Sequence, residues 1–165
     1  MEIARYAAPW GQLLLCAEGR YLTGLWTDAD RAAAKLQNAV MRETEALTLT
    51  KQWLDAYFAG KKPAIHALPL LLRGSEFQQE VWRELLAIPY GQTVTYGDIA
   101  RTVAQHRGLA RMSPQAVGGA VGRNPIGIIV PCHRVLGSDG SLTGYAGGLE
   151  RKRALLELEG VVIER

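Results

Sequence analysis

The run Ile126-Gly127-Ile128-Ile129-Val130 is apolar or glycine throughout and is stopped by Pro131-Cys132-His133-Arg134. A short continuous apolar run of this kind reads as a buried strand, and proline cannot continue it. The chain must therefore build a core around residues 126–130 and turn directly after them. That leaves the Cys132 thiol at the end of a buried strand, in a segment that carries positive charge. Such a thiol is either an inert small hydrophobe or a nucleophile, held as thiolate by the adjacent imidazole and by fixed dipoles. A Cys-His dipeptide alone is more often structural than catalytic, so the rest of the chain has to decide.

The chain can supply the core, since 48% of its 165 residues are apolar, and a charged share of 21% is ordinary for a globular protein. Disordered and collagen-like classes are excluded. No apolar run approaches the roughly 20 residues that span a bilayer. The N-terminal stretch, with Glu2 before Arg5, lacks the basic-then-apolar order of a secretory signal. A cytoplasmic protein with no membrane partner is expected. The two cysteines, Cys16 and Cys132, are too few for a disulfide framework, and the three histidines are scattered, so no metal site is expected. The formal net charge is +3, and no acidic residue falls between Asp98 and Asp139, whereas Arg101, Arg107, Arg111, Arg123 and Arg134 do. On one face these would suit a phosphate backbone; on different faces they are merely solvated.

The opening stretch reads as short strands, with Gln12–Ala17 after a Pro9-Trp10-Gly11 turn and Tyr21–Trp26 after Gly19. Asp28 or Asp30 caps an expected helix over Arg31–Val40, and a second helix carries Trp53, Leu54, Tyr57 and Phe58 on one face and ends at Gly60. A boundary falls between about Pro63 and Gly74, giving an N-terminal α/β subdomain over 1–72 and a second subdomain over 73–165. The second subdomain is mainly helical. Ser75 caps a helix bearing Phe77, Val81, Trp82 and Leu85; Thr95 and Asp98 form a capping box for a helix with Ile99, Ala100 and Val103. Ser113-Pro114 starts another helix that runs through Val121 and carries the pair Gly118-Gly119. Adjacent glycines cost a helix roughly 1 kcal/mol each and make sense where a backbone or ligand must come close. Two short helices joined by a turn, the second small-residued and surrounded by arginines, read as a helix-turn-helix. The fold class is therefore α/β, a small sheet-plus-helix subdomain packed on a mainly helical one.

The segment from Asn124-Pro125 through Pro131-Cys132-His133-Arg134-Val135, followed by Gly144-Tyr145-Ala146-Gly147-Gly148, resembles the active-site region of the O6-alkylguanine-DNA alkyltransferases. The likeness extends upstream to Phe77-Gln78, Val81-Trp82, Ile88-Pro89, Gly91 and Tyr96-Gly97 with Ile99-Ala100, and covers roughly residues 75–160. It implies a single-turnover DNA repair enzyme, a methylated-DNA–protein-cysteine methyltransferase. Such a protein flips an alkylated guanine, or an O4-alkylthymine, out of duplex DNA and moves the alkyl group irreversibly to its own cysteine. Cys132 matches the acceptor, His133 the residue that deprotonates it through a water, Glu159 the carboxylate that orients the imidazole, and Tyr96 the donor to the base. Tyr145 and Ala146 match the loop lining the base pocket. The backbone of Cys132 and Val135 would read the exocyclic amine, and Asn124 would brace the active-site turn. Gln115, Ala116, Gly118 and Gly119 fall on the recognition helix. The resemblance implies no cofactor, because the protein is itself the reagent, and no obligate protein partner, the chain acting as a monomer on double-stranded DNA.

The sequence departs from the family in two places. The family has an arginine at the first turn of the recognition helix, and Gln115 stands there; glutamine supplies neither the charge nor the planar guanidinium. The turn between the two helices, read through Gln105–Arg111, is about five residues longer than usual. Arg107 or Arg111 is expected to replace part of the missing arginine, and Arg123 to add to the DNA contacts. Three other readings stand beside this one: a non-catalytic binder that senses alkylated DNA, a cysteine hydrolase built from Cys132, His133 and Glu159, and a helix-turn-helix regulator indifferent to lesions.

Overall fold

A computed structural model describes residues 1–163. The chain forms two compact units, Met1–Arg73 together with Pro125–Ile129, and Gly74–Asn124 together with the stretch from Val130 onward.

In the first unit, β1 (Glu2–Ala8), β2 (Gly11–Glu18) and β3 (Tyr21–Trp26) form antiparallel pairs in the order β3-β2-β1, and the two-residue strand β4 (Val40–Met41) adds parallel to β1. The β2–β3 turn passes through Gly19 at φ +59°, a left-handed conformation that glycine adopts without a Cβ penalty. Side chains alternate across a strand, yet Leu13 through Ala17 are all buried, so β2 is covered on both faces. Leu14 and Cys16 join Ile3 and Ala29 in one cluster with the alanines of α1 (Ala29–Lys35), while α2 (Glu45–Phe58) packs against β1, β2 and β3.

Two expectations change here. The helix expected over Arg31–Val40 is α1, capped by the Asp28 side chain and ended at Leu36, because Asn38 turns left-handed (φ +63°) and Val40–Met41 pair with the sheet. The run Ile126–Val130 is buried but is not a strand. Only Ile126 bridges to β3, opposite Leu25, and the chain then coils, with Ile129 N–H donating to Gly127 C=O at 2.7 Å and Ile128 at φ +68°. A five-residue apolar run does not distinguish a strand from a buried turn by periodicity, and the left-handed geometry of a β-branched residue is costly enough to need a fixed surround.

The second unit is built from α3 (Glu76–Leu86), β5 (Val94–Thr95), α4 (Tyr96–Arg107), α5 (Pro114–Gly122), β6 (Val135–Leu136) and α6 (Leu149–Leu158). Both capping boxes close reciprocally. Ser75 Oγ accepts from Gln78 N–H at 3.1 Å and Gln78 Oε1 from Ser75 N–H at 2.9 Å, and Thr95 and Asp98 do the same at 3.0 and 2.9 Å. Ser113 caps α5 with Pro114 in its first turn. Part of the stretch expected as a long turn is helix: Gln105, His106 and Arg107 finish α4, Gly108 at φ +67° stops it, and residues 108–113 make the link to α5. Val81, Trp82, Leu85, Ile99, Val103, Val117 and Val121 fill the space between α3, α4 and α5. Among the described residues no helix is long and apolar enough to cross a membrane.

Trp82 ties α5 to α3, since its buried indole N–H donates to Ala120 C=O at 2.9 Å. Replacing Trp82 by Phe removes that bond and leaves unfilled volume, so it should cost about 1–3 kcal/mol. Denaturant unfolding of the two proteins checks it.

Candidate active site around Cys132

Directly before the thiol, Asn124 Nδ2 donates to Val130 C=O at 2.8 Å, pinning the end of α5 to the approach to the turn. Cys132 N–H bonds Val130 C=O at 2.8 Å and Arg134 N–H bonds Pro131 C=O at 3.0 Å, so residues 132–134 form one tight 3-10 turn. The turn faces inward: Cys132 is 8% exposed, His133 0% and Arg134 4%.

The turn is held by the carboxylate of Glu159, which caps the C-terminus of α6. Glu159 Oε2 lies 2.6 Å from His133 Nε2 and accepts from an Arg134 terminal nitrogen at 3.1 Å; Oε1 accepts from Arg134 Nε at 2.8 Å and from Gly91 N–H at 3.0 Å. Gly91 sits at φ +78°, and a Cβ there would lie 3.1 Å from the Glu159 carbonyl oxygen, so only glycine brings its N–H this close. Burial pushes the Glu159 carboxyl up, but the bonds from His133, Arg134 and Gly91 outweigh it and hold it at about 2. Burial pushes His133 below its ordinary value; Glu159 opposes this, while Arg134 and Lys152 reinforce it. Its Nδ1 is buried and has no hydrogen-bond partner among the described residues.

The Cys132 thiol differs from the thiolate that its imidazole neighbour suggested. Burial raises it above its ordinary value; the Asn124 amide, the Lys152 charge and the N–H groups of the turn only oppose that rise. The resting pair is a neutral thiol beside a neutral imidazole. Of the two ring nitrogens of His133, Nε2 is held by Glu159, and Nδ1 is left open to another proton-exchanging group.

The expected base-pocket residues gather around the loop before α6. Tyr96 Oη donates to Thr143 C=O at 3.2 Å and lies 3.3 Å from Gly144 C=O. Burial and the nearby Cys132 raise the phenol, so it stays protonated. Tyr145 is half-buried and Ala146 exposed in the same loop. Val135 is buried in β6, which runs parallel to β5 and brings Val94-Thr95 alongside Val135-Leu136; its N–H donates to Cys132 C=O.

Two charged residues of this site were missed in reading the sequence. Arg134 passed as one letter of a motif. Lys152 is fully buried, its Nζ donating to Thr143 C=O at 2.7 Å and lying 5.9 Å above the Tyr96 ring. Burial lowers its ammonium to about 8, with Cys132 pulling the other way. The signal was its spacing, since residues 152, 155, 156 and 159 share one helical face whose other members are buried Leu155, Leu156 and Glu159.

The expected DNA contacts are distributed unevenly. Gln115 and Ala116 are exposed on α5, Gln115 Oε1 accepting from Ser113 Oγ at 3.1 Å. Cβ atoms added at Gly118 and Gly119 meet nothing closer than 3.9 Å, so no packing within the chain demands these glycines. The acid-free arginine stretch does not form one free positive face. Arg101 pairs with Asp98, Arg134 with Glu159, and Arg107 makes a two-pronged bond to Glu80 at 2.8 and 3.2 Å while stacking over Phe77. Arg111 and Arg123 are exposed and have no partner among the described residues. No group of three or more His, Cys, Asp or Glu side chains there could hold a metal ion.

Residues 76–161 match the model of the 6-O-methylguanine DNA methyltransferase DNA binding domain, and residues 2–72 that of the 6-O-methylguanine DNA methyltransferase ribonuclease-like domain. The chain is 49% identical to a methylated-DNA–protein-cysteine methyltransferase of Mycobacterium leprae over 92% of its own length and 88% of the relative's. It is 38% identical to the protein of the same name from Haemophilus influenzae, over 94% and 84%. Among solved structures it is similar to the OGT of Mycobacterium tuberculosis in complex with DNA, with a TM-score of 0.81 at 43% identity, covering 96% of this chain and 92% of that one. The chain belongs to the 6-O-methylguanine DNA methyltransferase family.

Proposed function

We propose that this protein repairs double-stranded DNA by moving an alkyl group from O6 of an alkylguanine to Sγ of Cys132, once per molecule. The observation that carries this is the buried thiol beside a neutral imidazole whose other nitrogen is bound to an ionised carboxylate. That arrangement generates a thiolate only as its proton is taken, inside a largely buried site. In the reaction a sulfur–carbon bond forms as the carbon–O6 bond breaks, and the bonding pair leaves with the guanine. The thiol proton goes to His133, and the guanine anion gains one from the pocket. Tyr96 is placed in the donor role because its phenol keeps its proton and can turn from the Thr143 carbonyl to a bound base. A thioether cannot be hydrolysed under mild conditions, so the protein is consumed. O4-alkylthymine carries the same kind of alkyl–oxygen bond and belongs to the same substrate class. Tyr145, Ala146 and the Cys132 and Val135 backbone would line the base pocket, and Asn124 would hold the turn.

Access to the reacting carbon requires the base to leave the stack. The exposed face of α5, with Gln115, Ala116, Gly118 and Gly119, is the surface we assign to DNA, because its two glycines are otherwise unexplained and let a phosphate backbone come close. Arg111 and Arg123 are the arginines available to phosphate. Arg107 is given up to Glu80 and leaves this set. Both cysteines are free thiols, and action in the cytoplasm would keep them so.

Intact mass spectrometry after mixing with a duplex bearing one O6-methylguanine should show a single added methyl, mapped to Cys132 and absent in Cys132→Ala. Binding without an adduct, or repeated turnover, would overturn the proposal. Arg111→Ala and Arg123→Ala should each weaken duplex binding across sequences and reduce the salt slope by about 1. Arg107→Ala should leave the slope unchanged, as titrations at several salt concentrations would reveal.

A further inference from the structure

The transfer described above gives Arg134 nothing to do, yet Arg134 is the most elaborately held cation in the second unit. Its guanidinium grips both oxygens of Glu159 at 2.8 and 3.1 Å, donates to Ile88 C=O at 2.7 Å, and lies 5.7 Å over the Tyr90 ring. A carboxylate offers about four lone-pair sites. Those of Glu159 meet Arg134 twice, Gly91 N–H once and His133 Nε2 once. An ionised carboxylate only accepts, so the proton of that short contact sits on His133 Nε2 and Nδ1 is the nitrogen with the lone pair.

Whether Nδ1 keeps that lone pair is a matter of charge balance. A buried His133–Glu159 pair with a neutral ring carries one negative charge, and an uncompensated buried charge is costly. The cheapest remedy for such a pair is to bind a proton on the imidazole, and the only free position is Nδ1. A cation already bound to the carboxylate removes the need.

We propose that Arg134 is a positioning residue that keeps His133 a base: its guanidinium neutralises the Glu159 carboxylate, so the carboxylate orients the ring through Nε2 without drawing a second proton onto Nδ1. The inference rests on His133 being the base toward Cys132. The charged groups that act on the imidazole are Glu159 and Lys152 of α6 and Arg134 of its own turn, where Cys132 is its sequence neighbour; the guanidinium lies over Tyr90, whose Oη donates to Leu158 C=O at 3.3 Å. Lys152 is bonded to Thr143 and makes no contact with the carboxylate among its described bonds, so it cannot replace Arg134.

The test follows the His133 ring directly by NMR of histidine-labelled protein, assigned with His133→Gln, beside the pH dependence of methyl transfer. In the unaltered protein His133 should stay neutral with the proton on Nε2 down to at least its ordinary value of about 6.5. In Arg134→Gln the ring should take up its second proton at least one pH unit higher than in the unaltered protein, a tenfold change in occupancy. The acid limb of the transfer rate should move upward with it, and the rate should recover in alkali. Arg134→Lys, which keeps the charge and loses the fork, should shift less. If Arg134→Gln does not fold, the doubly neutral Arg134→Gln/Glu159→Gln is compared with Glu159→Gln, and the ring should titrate higher in the double variant. A rate lowered equally at every pH with the ring unshifted would mean that Arg134 only braces the turn, and would overturn the inference. An unaltered protein that gains no methyl group would overturn the proposed function instead, and the ring titration would still decide the role of Arg134.

Discussion

A carboxylate withdrawn from water loses several kcal/mol of hydration and is tolerated only where donors replace the water. Glu159, at the end of α6, meets that condition with donors from two other segments: Gly91 in the turn leading to β5, and His133 and Arg134 in the cysteine's own turn. None of these segments has a strong reason to meet the others. The 3-10 turn is a single turn, β5 and β6 are two residues each, and α6 begins without a side-chain cap. The saturated carboxylate converts these weak local structures into one fixed site, and the glycine at 91 is the concession that lets it do so.

That arrangement also explains why the nucleophile is latent. Burial alone disfavours every charged form, raising the thiol and lowering the imidazole, so the site at rest holds only the charges that are paired, Arg134 with Glu159, and the ammonium of Lys152 on a carbonyl. A thiol kept neutral is a poor target for oxidation or stray electrophiles. Reactivity is confined to the moment when a substrate carbon lies against the sulfur and the proton has somewhere to go, as befits a protein that can react once.

What could be read from the sequence was whatever chemistry works over a few neighbours. The capping boxes at Ser75 and Thr95, the Ser113-Pro114 helix start and the apolar faces of α3 and α4 are short-range rules and hold in the structure. Family membership was legible because Pro-Cys-His-Arg-Val and the downstream Gly-Tyr-Ala-Gly-Gly stand together. Long-range facts were not legible. Of the five arginines in the acid-free stretch, Arg107 and Arg134 find their acids in space, Glu80 from α3 and Glu159 from α6, and Arg101 pairs with Asp98 at the edge of the stretch, so a linear charge gap overstated the free positive surface. Ile126–Val130 has the composition of a strand but lacks a partner along its length, and pairing is a tertiary matter. Lys152 was hidden because a buried lysine defies the usual distribution of that residue, although its helical spacing pointed inward.

The assignment of Pro125–Ile129 to the first unit has a consequence for how the two units can be inherited or exchanged. The polypeptide leaves the second unit after Asn124, supplies buried Ile126, Ile128 and Ile129 to the first, and returns at Val130, two residues before the thiol. No single cut therefore separates the units. A fragment beginning near Gly74 would carry three isoleucines cut off from β3, and one ending near Arg73 would lack the bridge that Ile126 makes to Leu25. Recombination that swaps one half for a foreign half would have to match this loop as well as the boundary.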